Sequence, residues 1–314
     1  MKLFWILTGA VSAIALAILL TAYICYRKAF FVSRRTRQKP VGLPEDAIYG
    51  QFREQIGKWA QETRQLPCEE LEITSFDGLK LRGRYYEFAP GAPIELMFHG
   101  YRGTAERDLA GGVQRCFQLG RSALIVDQRC SGQSQGKVIT FGVLEHRDCL
   151  RWVDFMIGHF GPDVKIYLCG ISMGAATVLM AAGKELPDNV IGVLADCGYT
   201  SPKEIIQRVI RGIGLPPKLA YPFVKLGAKL FGRFDLEEIS PVEAVKNCKV
   251  PVFFIHGEAD DYVPCEMSRK NFEACASRKK LMTVPGAAHG LSYPVAQQQY
   301  LQAVGEFFSQ EASV

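Results

Sequence analysis

The chain has 314 residues, 48% hydrophobic and 22% charged, which excludes a disordered tail, a collagen-like repeat and a small disulfide scaffold. Its formal charge of +5 comes from 37 basic and 32 acidic residues, and residues 1–39 hold seven of the basic ones (Lys2, Arg27, Lys28, Arg34, Arg35, Arg37, Lys39) and none of the acidic ones. The remaining chain, with 30 basic against 32 acidic residues and no RNP, zinc-finger or Arg-rich recognition pattern, excludes nucleic acid as a partner.

In chain order, the first feature is an uncharged stretch from Leu3 to Tyr26, 24 residues of which 20 are hydrophobic. At 1.5 Å per residue it is long enough to cross a hydrocarbon core of about 30 Å. A spanning anchor over 1–26 is the leading expectation. A cleavable signal peptide is the rival, since Ala13, Ala15 and Ala17 offer small residues to a peptidase, but the apolar run outlasts an ordinary signal core of about 7–15 residues. The basic residues that follow outweigh Lys2, so the positive-inside bias puts the rest of the chain on the cytoplasmic face. Residues 27–69 are expected as a basic juxtamembrane linker, with a polar helix over 51–65.

From residue 70 onward strand and helix patterns alternate. Two runs, 70–76 and 79–87, flank Asp77-Gly78, a strong hairpin signal. Apolar strand runs follow at 93–98, 122–126, 164–169, 190–195, 250–255 and 280–284; unbroken runs of this kind read as strands buried on both faces. Cys149, Trp152, Val153, Met156 and Ile157 keep helical spacing, as do Tyr300, Ala303, Val304, Phe307 and Phe308, and such stripes face a core. The order predicts an α/β fold, a mostly parallel sheet with helices on both faces. Ten cysteines stand singly without a C-x-x-C pair, which leaves zinc ribbons and dithiol redox motifs unsupported and fits a reduced compartment. No metal or other cofactor is expected.

The chemistry begins at Gly170-Ile171-Ser172-Met173-Gly174, between the 164–169 strand and a helix-forming run. A serine at a tight strand-to-helix turn needs small neighbours, and the helix N-terminus behind it favours developing negative charge. Its base is expected to be His289, in Gly286-Ala287-Ala288-His289-Gly290 after the last strand; His146 and His159 read as packing or surface residues, and His256 ends the strand before the acidic loop. The orienting acid belongs between them, in His256-Gly257-Glu258-Ala259-Asp260-Asp261-Tyr262-Val263-Pro264, where it would hold the imidazole tautomer and stabilise the imidazolium. Asp260 is the choice, Asp261 its closest rival, with Glu258 and, after the preceding strand, Asp196 as lesser alternatives. The glycine-rich turn Phe98-His99-Gly100-Tyr101-Arg102-Gly103 brings a backbone N–H towards the serine, so the oxyanion hole is assigned to the N–H groups of Tyr101 and Met173. His99 is expected to orient that turn.

Taken together, HGYRG, DQRCSGQS (Asp127 to Ser134), GISMG, the HGEADDYVP loop and GAAHG, in this order over residues 70–312, resemble the α/β-hydrolase superfamily, specifically its monoacylglycerol lipase-like and serine aminopeptidase-like serine hydrolases. The resemblance implies nucleophilic attack by Ser172, an acyl-enzyme, and release by water activated through His289. Cys130 departs from the glycine common at its position and puts the local turn geometry in question. The hydrolase domain is expected over 70–314, with a helical lid at about 198–247, where the strand rhythm stops. Within it, residues 203–233 carry seven basic residues against Glu204 alone: either a solvated cap, or a basic amphipathic surface resting on anionic lipid. A membrane-anchored serine hydrolase of carboxylic esters, lipid acyl esters among them, is the first expectation; a peptidase or amidase of the same fold, or a non-catalytic binding protein that keeps the fold, are the alternatives.

Overall fold

A computed structural model describes residues 1–33 and 47–309. Arg34, Arg35, Arg37 and Lys39 of the expected basic linker lie outside the described residues. The N-terminal stretch forms one helix, α1 (Lys2–Ala29), with a mean hydropathy of 2.4 over its most apolar 18 residues and side chains exposed along most of its length. Arg27 and Lys28 occupy its last turn, where cations complement the helix dipole.

Eight strands form one sheet: β1 (Glu69–Thr74), β2 (Lys80–Tyr86), β3 (Ile94–Phe98), β4 (Ser122–Asp127), β5 (Ile166–Ile171), β6 (Val190–Asp196), β7 (Val252–Gly257) and β8 (Lys279–Val284). Their order is β1-β2-β4-β3-β5-β6-β7-β8. Strand β2 runs antiparallel to β1 and β4, and all other pairs are parallel. This is the α/β arrangement that the alternating sequence pattern predicts. The Asp77-Gly78 hairpin closes with Gly78 at φ +86°, the left-handed conformation that glycine adopts without a Cβ penalty.

The apolar stripes cover the two faces. On one, Trp152 and Met156 of α4 (Glu145–Phe160) and Val178 and Leu179 of α5 (Met173–Ala182) pack on Leu96, Val126, Leu168 and Phe254. On the other, helix α2 (Arg53–Gln65), α3 (Ala110–Gln118) and α9 (Gln297–Ser309) set Trp59, Val113, Val304 and Phe307 against Met97, Ile125 and Phe253. Between β6 and β7 the chain is helical: α6 (Pro202–Gly212), α7 (Pro217–Gly227), a π turn over 228–232 and two short turns over 241–247. Helix α8 (Cys265–Ala274) follows β7.

A third apolar cluster joins this helical segment to α1 and its exit. Tyr26, Phe30 and Val32 are buried with Phe141, Ile206, Val224 and Phe234. Part of the stretch expected as linker, Phe30 to Val32, thus packs into the body. The apolar triplet Phe30-Phe31-Val32, one residue behind Arg27-Lys28, is the signal for it.

Candidate active site

Strand β5 delivers Ser172 at a sharp turn. Its φ of +57° and ψ of −116° lie outside the conformations ordinary residues favour, and α5 begins at the next residue. The turn closes this tightly because two glycines carry no side chain. A Cβ at Gly170 would stand 2.2 Å from the Gly174 carbonyl group, and one at Gly174 would stand 2.0 Å from the Phe98 carbonyl oxygen. Both neighbours are backbone, which cannot swing aside. Gly174→Ala is therefore expected to destabilise the fold by about 3 kcal/mol or more, through forced separation of α5 from β3; calorimetric melting tests this, and a melting temperature within a degree of wild type would count against it.

The structure brings Ser172, His289 and Asp260 into one chain of hydrogen bonds. His289 Nδ1 is 2.7 Å from Asp260 Oδ2, and His289 Nε2 is 2.9 Å from Ser172 Oγ. A carboxylate only accepts, so Nδ1 carries the proton and Nε2 of the neutral ring accepts from the serine hydroxyl. The other oxygen of Asp260, Oδ1, accepts from the N–H groups of Tyr262 and Val263 at 3.0 and 2.8 Å. Burial alone would raise the Asp260 pKa, but hydrogen bonds from His256, His289 and the Val263 N–H outweigh it and hold the group at about 2.

The alternative acids are placed elsewhere. Asp261 is exposed, and its carbonyl accepts from Arg208. Glu258 accepts from Thr283 at 2.7 Å. Asp196 accepts from Ser292 Oγ at 2.9 Å, and burial, partly offset by that bond, pushes its pKa up to about 6.

His256 has a part that sequence reasoning missed. It is fully buried, and its Nε2 faces both the Val263 carbonyl at 2.8 Å and Asp260 Oδ2 at 3.2 Å. The carbonyl cannot donate, so Nε2 bears the hydrogen and shares it with the carboxylate. Nδ1 meets Ser268 Oγ at 2.6 Å. Asp260 is thereby held from both sides, by a histidine that looks from sequence like any strand-end residue.

The turn after β3 runs beside the serine: a Cβ at Gly100 would lie 3.6 Å from Ser172 Cβ. Met173 is the first residue of α5, where an N–H has no acceptor within the helix. His99 is buried and ties the turn to β4, its Nδ1 donating to the Gly100 carbonyl at 2.8 Å and its Nε2 accepting from Gln128 N–H at 3.0 Å. In the next loop, Asp127 accepts from Ala105 N–H and Gln133 N–H, both at 3.0 Å, and Arg129 pairs with Asp148 and Asp77. Cys130 sits at φ +68°, a left-handed conformation that glycine adopts without a Cβ penalty, so the turn that its side chain put in question closes with the cysteine in place.

A cavity of about 620 Å³ opens beside the serine, lined among others by Ser172, His289, Tyr101, Trp59, Arg115 and Tyr293. Among the described residues, none of 198–247 lines it. Its cover comes instead from residues 47–65. Tyr49 Oη donates to the His289 carbonyl at 2.6 Å, and Trp59 stacks on Tyr293 at 5.3 Å between ring centres. Ile56, Trp59 and Thr63, at helical spacing in an otherwise polar helix, are the sequence signal for that cover. Below the floor Glu95 is fully buried between Arg115 and Arg121, which together outweigh the cost of its burial and lower its pKa.

Comparison with known proteins agrees with this architecture. The sequence model of the prolyl oligopeptidase family matches residues 224–314. The "uncharacterized protein YqkD" of Bacillus subtilis is 26% identical over 301 residues, 95% of each chain, and the protein bem46 of Schizosaccharomyces pombe is 25% identical over 250 residues, 77% of each. Among solved structures, the Pyrococcus furiosus esterase Pf2001 superposes with a TM-score of 0.66 at 23% identity, covering 87% of this chain and 98% of that one. Est1E of Butyrivibrio proteoclasticus, solved with ferulic acid, gives 0.60 at 22% identity, covering 78% and 100%. These likenesses show that the chain has the α/β-hydrolase fold.

Proposed function

We propose that the chain is a membrane-anchored serine hydrolase that cleaves carboxylic esters, lipid acyl esters among them, through an acyl-enzyme. The observation that carries this reading is the relay from Asp260 through His289 to Ser172, at 2.7 and 2.9 Å, on the wall of an acyl-sized cavity. Ser172 Oγ attacks the ester carbonyl as His289 Nε2 takes its proton. The oxyanion lodges against the N–H groups of Tyr101 and Met173. His289 then protonates the leaving alcohol, and in the second half-reaction it draws a proton from water, whose oxygen attacks the acyl carbon and frees the acid. Asp260 stays ionised throughout and stabilises the imidazolium. The esterases among the structural neighbours support an ester substrate.

A peptidase or amidase is the second reading, favoured by the match of residues 224–314 to the prolyl oligopeptidase family. A fluorophosphonate probe tests both against a non-catalytic binding protein. Wild type is expected to label and Ser172→Ala not to; an unlabelled, folded wild type would defeat either enzyme reading. Relative turnover of p-nitrophenyl esters and aminoacyl amides separates the two.

The reading assigns residues 1–26 as anchor, 27–69 as a juxtamembrane segment whose part from 47 to 65 covers the cavity, and 70–314 as the hydrolase, with the helical insertion at about 198–247 turning its exposed Ile213, Leu215 and Leu219 and its basic residues to the bilayer. The hydrolase is placed on the cytoplasmic side. Carbonate washing is expected to leave the chain in the membrane pellet, and a membrane-impermeant maleimide is expected to reach the exposed Cys68 only after the cell is opened; labelling of Cys68 in intact cells would reverse the orientation.

A further inference from the structure

The turn that carries Tyr101 is held from outside the sheet. It closes with Gly103 N–H donating to the Gly100 carbonyl at 3.1 Å, and Arg102, its third residue, sits at φ +55°. That left-handed conformation costs a residue with a side chain about 1–2 kcal/mol. Strain of this kind persists where the surroundings over-determine it. Here the surroundings are the exit of α1. Tyr101 Oη donates to the Ala29 carbonyl at 2.7 Å, and Arg102 Nη2 donates to the Lys28 carbonyl at 2.8 Å. Both carbonyls belong to the last turn of the helix, which has no intrahelical donor for them and carries the negative end of the dipole.

The exit itself is fixed in the body. Phe30 sits between Phe141 and Phe234, at 5.8 and 5.2 Å between ring centres, and Phe141 stacks on Tyr101 at 4.9 Å. Val32 N–H donates to the Lys137 carbonyl and Ile139 N–H to the Phe30 carbonyl, each at 2.9 Å. One helical turn and more back, α1 seats on α7, where a Cβ at Gly227 would stand 2.4 Å from the Ala22 carbonyl oxygen.

We propose that the exit turn of the anchor helix is a positioning element of the active site, its Lys28 and Ala29 carbonyls clamping the strained turn so that the Tyr101 N–H points at the oxyanion. The inference rests on the assignment of that N–H as an oxyanion donor. It makes α1 more than a tether, because turnover then depends on the helix being seated on the body. The ties act on a hydrogen bond that matters most in the transition state, so their loss falls on kcat rather than on substrate binding.

Two substitutions in the full chain, reconstituted in phosphatidylcholine vesicles, test it. Tyr101→Phe deletes the hydroxyl but keeps the ring stack and the main-chain N–H. Arg102→Gly deletes the guanidinium and suits φ +55°. We expect kcat to fall about fivefold in each and more in the double variant, part of the about 10²–10³ that removal of a whole oxyanion donor costs, with KM within about twofold. Affinity for an alkyl boronic acid, which occupies the oxyanion position as a tetrahedral adduct, is expected to fall by the same factor as kcat. Affinity for a non-hydrolysable ether analogue of the substrate is expected to stay. Unchanged kcat in the double variant would overturn the proposal, as would equal losses of boronate and ether affinity, the signature of a merely deformed cavity. Failure of the underlying reading shows separately, as a wild type that takes no fluorophosphonate, and it overturns the inference with it.

Discussion

Ester turnover is expected to fall by about 10⁴-fold or more in Ser172→Ala, with the fold intact. Among the described residues the hydroxyl makes one side-chain hydrogen bond, to His289, so its removal costs little packing, and alanine adopts the strained φ of +57° at the cost serine already bears. What disappears is the oxygen that forms the acyl bond in the proposed mechanism. Residual catalysis would come from the two N–H donors and substrate positioning alone. Among the described residues no neighbour is placed to replace it: Cys169 and Cys197 are buried thiols whose pKa burial pushes up, and the hydroxyl of Ser292 is committed to Asp196. Active-site titration with a p-nitrophenyl ester measures both burst and steady state. A variant that kept more than about 1% of wild-type turnover would locate the nucleophile elsewhere.

How much of this was legible in the sequence follows from where each constraint lies. The elbow is a local backbone problem: Gly170 and Gly174 face main-chain atoms at about 2 Å from any added Cβ, so small residues must stand two on either side of Ser172, and five letters carry the signal. The sheet is legible for a similar reason, since strands covered on both faces read as unbroken apolar runs. The surroundings of the serine are different. His256 reaches Asp260 because β7 ends where its loop doubles back, and helix α2 reaches the cavity by packing beside α3. Both depend on tertiary placement, to which a single histidine or an amphipathic pattern contributes only a face. The exit of α1 lies between these cases: Phe30-Phe31-Val32 is too apolar for a solvated linker, yet only the fold supplies Phe141 and Phe234 as its partners.

The two aspartates of the 260–261 pair divide sharply in their expected behaviour. Asp260→Asn should lower kcat by about 10³–10⁴-fold, because an amide in place of the carboxylate no longer fixes the proton on His289 Nδ1 or stabilises the imidazolium. Asp261→Asn, whose exposed side chain reaches neither histidine, should stay within about twofold of wild type. The acid response differs as well. Asp260 is held at about 2 in the folded chain, below its ordinary value, so the stability its ionised form contributes is fully present above the ordinary carboxylate range. It is lost as pH falls through about 4 towards 2. Asp260→Asn removes that contribution at every pH, and its melting temperature should therefore lie below wild type at pH 7 by more than it does at pH 2. Activity measured above pH 4 cannot titrate with Asp260, which stays charged there. A kcat loss in Asp261→Asn equal to that in Asp260→Asn would mean that the loop rearranges when substrate binds and that the pairing with His289 is exchanged between the two carboxylates.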